Sequence, residues 1–593
     1  MTTDVNKYNF GIIGNCSYLA YIDTEANVNW LCMPRFDSSF IFGSLLDKEK
    51  GGEFSIKPKN EIFKSNQYYI RNTNILATEF ELDEGKFRVI DFAPRIYQYN
   101  RYFKPLMLFR KIELLEGNPF IIVKCKPVGD YGELKPEVVA GSNHIRYLNL
   151  GSHIRLTTDI PLNYIIGEKP FVLNQTQYLV FSYGAPLEAP LEETVENFLN
   201  KTHSYWTYYV KSTSIPPIYQ DEVIRSALML KLHQFEDTGA IIAAGTTSLP
   251  EFKASERTWD YRYCWMRDTY YTLNAFENIG HFEELEKYFH FIQNIIMNEK
   301  YQIKPLYTIL GNSVPREKLL DLEGFQGHKP VRIGNNATLQ IQNDVYGQVM
   351  VSLLPLFIDR RLNYLDKKNS IYITEWLLNR IDDNMDIPDS GLWEFGTTSQ
   401  FNCYTYLFHW AGSMAGVKIG KAFEDDAIVT KATMLAEKAK VYLEKCYDPE
   451  KKAYTQASGI KHLDGSNLQL ITMKYLDPNS EMALNHLKAH EKELFGKNGL
   501  YFRYSHDDLG EAVNSFLICG FWFAEALATT GQLEKSKETI DKLLSCSNHL
   551  GLFSEDADSE GGQWGNFPQT YSHVGLINAV YRLAIKLDKP LFL

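Results

Sequence analysis

Two short motifs far apart in the chain each carry a glutamate close to large apolar side chains. Glu394 directly follows Trp393, and Glu555 comes after Leu552-Phe-Ser554. Cleavage of a glycosidic bond needs one carboxylic acid to protonate the leaving oxygen and one carboxylate to activate water or stabilise charge. The two glutamates are candidates for this pair, although only the fold can bring them together.

A dense block of aromatic and charged residues precedes both motifs, Arg257-Thr-Trp-Asp-Tyr-Arg-Tyr-Cys-Trp-Met-Arg-Asp268. A sugar pocket needs aromatic faces that stack on the ring and charged groups that bind its hydroxyls. Tyr261 and Trp265 supply such faces, and Arg267 and Asp268 supply such charges. A weak surface ion pair and core aromatic side chains would give the same pattern, so the block alone does not decide.

Each candidate also has a simpler interpretation. Glu394 could be a solvated carboxylate near a helix amino terminus, and Glu555 could belong to a solvated acidic turn. The apolar neighbours of Glu394 favour catalysis, because a carboxylic acid held in an apolar pocket stays protonated as a donor. The apolar residues before Glu555 can carry that carboxylate inward. Arg332 is expected either at the pocket mouth or as a brace of its long loop. His573 is more typical of a hydrogen-bonded structural histidine than of a catalyst.

The composition bounds the class of protein. The 45% apolar and 23% charged fractions are those of an ordinary globular protein, and the 14% aromatic share is high. A net charge of −12 without a basic stripe argues against nucleic-acid or anionic-membrane partners. The amino terminus lacks an apolar signal region and no stretch approaches a membrane span, so we expect a cytoplasmic protein. Eight scattered cysteines without a Cys-x-x-Cys pair predict buried free thiols, and the sequence indicates no metal or cofactor.

At 593 residues the chain is too long for one ordinary core. Short runs rich in β-branched and aromatic residues, separated by Gly, Asn, Asp and Pro, predict an amino-terminal antiparallel β-sandwich over 1–190. Helical spacing with an acidic start predicts a linker helix over 191–215. The remainder, 216–593, shows 3.6-residue periodicity and is predicted to be the catalytic domain.

Twelve helices are predicted in the second domain, near 219–235, 267–279, 283–298, 342–357, 370–384, 402–419, 424–446, 466–476, 478–493, 513–529, 532–546 and 572–587. Twelve helices with long connections fit an (α/α)6 barrel, six inner helices ringed by six outer ones. An α-solenoid would have the same periodicity, although no fixed-length repeat supports one. The connections 299–341 and 547–571 are unusually long, which favours function over a simple link.

Taken in order, the motifs resemble glycoside hydrolase family 15, the family of glucoamylases, related α-glucosidases and some microbial trehalases. The resemblance covers nearly the whole chain. Its segments are Ile13–Asn15, Asn29–Ser38, Gly51–Gly52, Thr246–Glu251, Trp259–Asp268, Pro330–Asn335, Asp344–Gly347, Leu392–Glu394, Glu555, Asn566–Gln569 and Ser572–His573.

The resemblance implies a β-sandwich followed by an (α/α)6 barrel, and an inverting mechanism. It implies Glu394 as general acid and Glu555 as the base that deprotonates water, with carboxyl groups roughly 6.5–9.5 Å apart. By the same resemblance, Arg267 and Asp268 hold the hydroxyls of the terminal glucose. The rest of the expected substrate-binding set consists of Tyr261, Trp265, Trp393 and Arg332.

Three residues depart from the family pattern. Phe395 stands where fungal glucoamylases carry a second acid after the catalytic one. Asp556 replaces the Gln or Glu usual after the base, and Tyr406 stands where many bacterial relatives have Lys. These departures predict a retained glucose subsite and an altered site for the leaving sugar.

The predicted function is an inverting exo-acting α-glucoside hydrolase, glucoamylase-like, which releases β-glucose from non-reducing ends of α-gluco-oligosaccharides. The expected partner is a small-molecule carbohydrate. The nearest alternative is a trehalase, which differs in the leaving sugar. An inverting sugar phosphorylase and a non-catalytic sugar-binding protein are more remote alternatives.

Overall fold

The amino-terminal part of the chain folds into antiparallel β-structure in the computed structural model, which describes residues 5–299, 302–360, 367–394, 399–507 and 510–588. A short helix, α1 (Leu162–Ile166), lies between its fifteenth and sixteenth strands. The strands are β1 (Phe10–Gly14), β2 (Leu19–Asp23), β3 (Val28–Cys32), β4 (Phe40–Phe42), β5 (Glu53–Pro58), β6 (Lys64–Tyr69), β7 (Leu76–Leu82), β8 (Gly85–Phe92), β9 (Ile96–Gln98), β10 (Arg101–Phe103), β11 (Met107–Gly117), β12 (Phe120–Lys126), β13 (Glu137–Ala140), β14 (His144–Leu148), β15 (Ile154–Thr158), β16 (Phe171–Val172) and β17 (Gln177–Tyr183).

Three sheets share one apolar core in this domain. An eight-stranded sheet has the order β13-β14-β15-β17-β11-β8-β7-β6, a four-stranded sheet β1-β2-β3-β4 and a three-stranded sheet β16-β12-β5. Phe42 of the second sheet lies 5.5 Å from Phe54 of the third and 5.3 Å from Phe181 of the first, measured between ring centroids. The sheets therefore pack on one another through buried aromatic side chains, and the prediction of a β-rich amino-terminal domain is confirmed.

A long helix, α2 (Leu191–Ser212), follows the sheets where a linker helix is predicted. Twelve further α-helices follow within the described residues, and each overlaps one predicted segment. They are α3 (Gln220–Leu232), α4 (Thr269–Ile279), α5 (Phe282–Asn298), α6 (Asp344–Ile358), α7 (Lys367–Asn384), α8 (Cys403–Phe423), α9 (Asp426–Glu444), α10 (Gln469–Thr472), α11 (Glu481–Leu494), α12 (Leu517–Thr529), α13 (Leu533–Leu544) and α14 (Thr570–Leu587).

The segment predicted as a helix over 466–476 forms much less helix than expected. It is a 3-10 turn, Gly465–Leu468, followed by the single turn of α10. The Asp464 carboxylate accepts a hydrogen bond from the Ser466 N–H and so caps this turn. Glycine, serine and asparagine in the first turn favour turns over helix interiors, which explains the shortfall.

The long connections also contain short strands that the sequence did not predict. The connections 299–341 and 547–571, expected to be irregular, each carry antiparallel pairs. The short strands of the helical domain are β18 (Thr247–Pro250), β19 (Thr258–Asp260), β20 (Cys264–Trp265), β21 (Leu306–Tyr307), β22 (Lys318–Leu320), β23 (Val331–Ile333), β24 (Tyr447–Asp448), β25 (Ala453–Tyr454), β26 (His506–Asp507), β27 (Gly510–Glu511), β28 (Ser515–Phe516), β29 (Asp556–Ala557) and β30 (Gln563–Trp564).

Six helices contact one another in a closed order. Helix α4 packs on α6, α6 on α8, α8 on the turn that leads into α10, α10 on α12, α12 on α14, and α14 again on α4. Every residue of α12 is buried, as expected of an inner helix, whereas α13 buries one stripe and packs outside α12 and α14. Four of these six helices, α4, α6, α8 and α14, are preceded at their amino termini by the loops that carry the predicted site residues.

All eight cysteines are buried free thiols, which confirms the prediction from their spacing. Burial raises the pKa of Cys32, Cys125 and Cys264 to about 12, so these thiols stay protonated and unreactive at neutral pH. In the part of the chain that the structure describes, no helix combines the length and apolarity that crossing a membrane requires.

A buried ionic cluster joins the β-domain to the helical domain. The Glu236 carboxylate accepts hydrogen bonds from Arg95 of the β-domain and from Lys287, and it lies 3.5 Å from the Lys231 ammonium. Lys231 pairs in addition with Glu284 at 2.9 Å. Burial raises the pKa of Glu236, but the three cations outweigh that effect and hold the pKa well below its usual range. The cluster therefore depends on an ionised Glu236.

We expect Glu236→Gln to lower the free energy of unfolding by about 3–5 kcal/mol, because it leaves buried cations without their anion. Glu283→Gln is the matched control, since Glu283 pairs with the same Lys287 at 2.8 Å but is 53% exposed, against 7% for Glu236. An exposed pair is worth less than about 1 kcal/mol. Guanidinium unfolding of both variants measures the difference, and equal losses would contradict the prediction.

Candidate active site

A cavity of about 490 Å³ opens where loops lead into the amino termini of the inner helices. Its volume lies in the range of roughly 300–1,000 Å³ typical of small-molecule sites. The structure brings all eight predicted site residues to its wall, namely Tyr261, Trp265, Arg267, Asp268, Arg332, Trp393, Glu394 and Glu555. These eight residues come from four separate connections, which therefore meet in one place.

Glu394 ends a tight turn that begins at Gly391, with its N–H 3.3 Å from the Gly391 carbonyl. Its backbone is left-handed, with φ at 63°. For a residue with a side chain this costs about 1–2 kcal/mol, and such positions cluster at functional sites. The Gln340 amide donates to the Glu394 carbonyl at 3.0 Å and fixes the turn from the other side. Helix α8 begins only at Cys403, so Glu394 belongs to a turn in the cavity wall.

The Glu394 side chain is held by two donors. Its Oε1 accepts from the Trp265 indole N–H at 2.7 Å and from the Arg267 guanidinium at 3.0 Å. The side chain is 24% exposed, so it stays accessible to a ligand in the cavity. This arrangement aims one carboxyl group at the interior of the pocket.

Glu555 lies deep in the same cavity and is only 1% exposed. The Tyr261 hydroxyl donates to its Oε1 at 2.7 Å, and the Asn566 N–H donates to its Oε2 at 3.3 Å. Gly565 approaches so closely that a Cβ there would lie 2.5 Å from Oε2. With φ at 74°, this backbone position also favours glycine. The loop is thus shaped around the carboxylate.

The environment of Glu555 makes it an unusually strong proton acceptor. Its pKa is raised to about 8, mainly because burial disfavours the charged form and secondly because the Glu251 carboxylate faces it. The Tyr261 hydroxyl, the Arg503 cation and the Asn566 N–H act in the opposite direction. A carboxylate with this pKa suits a general base that must take a proton near neutral pH.

Arg267 and Asp268 form a charged pair at the start of α4. The Arg267 Nε lies 3.4 Å from the Asp268 Oδ1, a contact that meets ion-pair but not hydrogen-bond geometry. Both atoms are buried without a hydrogen-bond partner among the described residues. Burial raises the pKa of Asp268 to about 6 against the effect of Arg267. An unsatisfied buried donor beside an unsatisfied acceptor is suited to bind sugar hydroxyls.

Tyr261 and Trp265 connect the two glutamates. Their rings pack edge to face with centroids 5.2 Å apart. The first donates to Glu555 and the second to Glu394, as described above. One aromatic pair therefore sets the relative placement of both carboxylates.

Trp393 and Arg332 complete the predicted set. The Trp393 indole N–H donates to the Asp464 carboxylate at 2.7 Å, which fixes the ring in the wall. Arg332 stacks over the Trp259 ring, 4.7 Å from its centroid, and donates to the Thr258 carbonyl at 2.9 Å. Arg332 therefore lines the cavity and also braces the segment next to it.

The sequence did not single out several residues of the cavity. Arg503 stacks over the rings of Tyr504 and Phe516, at 4.8 and 5.6 Å, and donates to Glu251 at 3.0 Å. Glu251 closes a segment quoted for the family resemblance, so a signal for it existed. Arg503 is an isolated arginine in an irregular connection, which carries no signal in one sequence. The remaining lining residues are Ala243, Arg257, Trp259, Glu317, Asn335, Asn336, Ala337, Gln340, Leu392, Gln569 and Tyr571.

The three departures from the family pattern have different positions. Tyr406 was expected beside the leaving sugar, but it does not line the cavity among the described residues. Its hydroxyl donates to the Met385 carbonyl at 3.1 Å and its ring stacks on Tyr442 in the core. Asp556 is buried next to Glu555 and faces a small side pocket. Phe395 lies outside the described residues.

A neutral histidine supports the loop that carries Glu555. Burial lowers the pKa of His573 well below its usual range. Its Nε2 accepts from the Phe553 N–H at 3.3 Å, so the ring proton lies on Nδ1, 2.9 Å from the Ser226 hydroxyl. The structural role expected of His573 is therefore the one it has, since it fixes the loop two residues before Glu555.

The β-domain holds the same loop from its other side. The Tyr8 N–H donates to the Gln563 side chain at 3.1 Å, and the Asn548 amide donates to the Tyr8 carbonyl at 2.8 Å. The Tyr21 hydroxyl donates to the Phe567 carbonyl at 2.9 Å. Both domains thus fix the position of Glu555.

The chain is similar to known proteins over almost its whole length. A trehalase from Thermoplasma volcanium is 32% identical over 599 residues, which cover 98% of this chain and 93% of the relative. A trehalase from Thermoplasma acidophilum is 30% identical and covers 95% of this chain and 97% of the relative. A bacterial glucoamylase solved in complex with acarbose shares the fold with a TM-score of 0.68, at 14% identity and with coverage of 98% and 94%.

Two family models divide the chain in the order that the structure shows. The model of the trehalase-like amino-terminal domain matches residues 4–157, in the β-rich part. The model of glycosyl hydrolases family 15 matches residues 217–581, which include both glutamates and every helix from α3 to α13. The chain belongs to glycoside hydrolase family 15.

Proposed function

We propose that the protein hydrolyses trehalose, with Glu394 as general acid and Glu555 as general base. The observation that carries this proposal is the meeting of both glutamates, Arg267 and Asp268 in one cavity. The choice of trehalose is supported by the trehalases from two Thermoplasma species, which are similar to the chain over its whole length. The sequence predicted α-gluco-oligosaccharides as the substrate and trehalose as the alternative. We now propose trehalose first.

In the proposed reaction, Arg267 and Asp268 bind the hydroxyls of the glucose whose anomeric carbon reacts. Glu394 gives its proton to the glycosidic oxygen as the bond between that oxygen and the anomeric carbon breaks. Glu555 takes a proton from water as the water oxygen bonds to the same carbon from the opposite face. The product glucose is inverted to the β form, because the water attacks the face opposite the leaving oxygen.

The architecture supports the same proposal. The closed order of six inner helices, with α13 packed outside, fits an (α/α)6 barrel as the catalytic domain over 216–593. Loops at one end of such a ring can place carboxylates that lie far apart in sequence on one cavity. The β-domain over 1–190 and α2, as the linker over 191–215, complete the proposed organisation.

Exo-acting hydrolysis of α-gluco-oligosaccharides is the second candidate. The same site is compatible with this activity, because Arg267 and Asp268 would bind a terminal glucose in the same way whichever sugar leaves. The two activities therefore differ only in the part of the cavity that accepts the leaving sugar.

A substrate panel distinguishes these functions. The kcat/KM for trehalose is expected to exceed that for maltose, isomaltose and maltotriose by at least about tenfold, a difference of about 1.4 kcal/mol. Higher values for the maltodextrins would favour the second candidate. Turnover that requires inorganic phosphate would indicate a phosphorylase, and binding without turnover would indicate a sugar-binding protein.

A further inference from the structure

A third carboxylate, Glu251, is buried in the cavity wall and is 6% exposed. Its Oε1 accepts from the Trp259 indole N–H at 3.0 Å, and its Oε2 accepts from Arg503 at 3.0 Å. Arg257 lies 3.6 Å from the same Oε2. The catalytic steps proposed above do not use this group, so its burial beside the base needs a reason.

The backbone also fixes Glu251 in place. Its N–H donates to the Arg257 carbonyl at 3.1 Å, and its carbonyl accepts from the Asn514 amide at 2.8 Å. Because main chain and side chain are both bonded, the carboxylate has little freedom to turn away. Arg503, which it anchors, stacks in turn over the Phe516 ring of the cavity wall.

We propose that Glu251 is a positioning residue for the general base. Its carboxylate anchors Arg503 and Trp259 in the wall of the cavity that holds Glu555, and it brings a negative charge to that wall. This inference rests on the proposed function, because it takes Glu555 to be the base.

The groups around Glu555 differ in whether they favour or oppose its ionised form. Tyr261 and the Asn566 N–H are neutral donors, and Arg503 is a cation, so all three stabilise the carboxylate form. Asp556 is adjacent, but burial and then Glu555 itself raise its pKa well above its usual range, so its charged form is disfavoured. Glu251 is therefore the negative charge that opposes ionisation of Glu555.

The expected consequence is a displaced pH profile. A like charge nearby disfavours the ionised form of a carboxyl group and so raises its pKa. Removing the charge of Glu251 lowers the pKa of Glu555, so the base is ionised at lower pH but accepts a proton less readily. The acid limb of kcat/KM should then move to lower pH, while the plateau value falls.

The experiment compares pH profiles of kcat/KM for trehalose in the unmodified protein, Glu251→Gln and Glu251→Asp. The acid limb is expected to move down by about one pH unit in Glu251→Gln, and by less in Glu251→Asp, which keeps the charge at a greater distance. Glu317→Gln is the control, since Glu317 lines the same cavity but pairs with Arg332 at 3.4 Å. Its acid limb should stay in place.

A limb that stays at its original pH in Glu251→Gln, with only a lower plateau, would overturn the inference and leave Glu251 a structural residue. If Glu251→Gln does not fold, the same criterion applies to Glu251→Asp. Normal turnover by Glu555→Gln would instead reject the proposed function itself, so the two failures are separable.

Discussion

Glu394→Gln is expected to lower kcat for trehalose by at least about a hundredfold, the usual contribution of a general acid. The amide has the shape of the carboxylic acid and can still accept from Trp265 and Arg267 through its oxygen. It cannot give a proton to the leaving oxygen. Binding of glucose should therefore persist while turnover is lost, and steady-state glucose release together with calorimetric glucose titration measures both.

α-Glucosyl fluoride provides the control for this variant. Fluoride leaves without protonation, so a missing general acid should slow its hydrolysis far less than that of trehalose. A variant that had lost the shape of the cavity would lose both activities equally. Near-normal trehalose turnover, or an equal loss on both substrates, would remove Glu394 from the role of acid.

Residue types indicated which side chains line the cavity better than they indicated the geometry of the cavity. Glu394 and Glu555 stood out because carboxylates beside large apolar side chains are rare on a solvated surface. The hydrogen bonds from Tyr261 and Trp265 that hold them arise only when three distant segments fold together, and no local spacing encodes such a meeting. Arg503 was missed for the same reason, since its role depends on rings and a carboxylate that only the tertiary fold places around it.

The helices were predictable because their apolar residues recur at helical spacing, whereas their closed order was not. Periodicity shows which face of α13 is buried but not that α14 returns to α4. Tyr406 shows that comparison with a family position by position can misplace a side chain. It was expected beside the leaving sugar, yet its side chain packs on Tyr442, because a residue early in an inner helix can face a neighbouring helix as well as the cavity.

Glu555→Gln is expected to lower kcat by at least about a hundredfold on trehalose and α-glucosyl fluoride alike, because both reactions need an activated water. The amide can still accept from Tyr261 through its oxygen, so the loop should keep its shape. Azide needs no base, and it should restore turnover of the fluoride by this variant and give β-glucosyl azide. Unimpaired hydrolysis, or α-glucosyl azide as the product, would contradict the assignment.

The anomers of glucose that the unmodified protein releases from trehalose test the same assignment of Glu555. Inversion converts one half of trehalose to β-glucose, while the leaving half keeps its α configuration, so fresh product should contain the two anomers in equal amounts by NMR. Retention would give α-glucose alone.

The value of kcat/KM is expected to increase with pH up to about pH 8, since Glu555 acts only when ionised and its pKa in the free protein is about 8. A limb near pH 4 would mean that the base is a carboxylate in water-like surroundings, which the buried Glu555 is not.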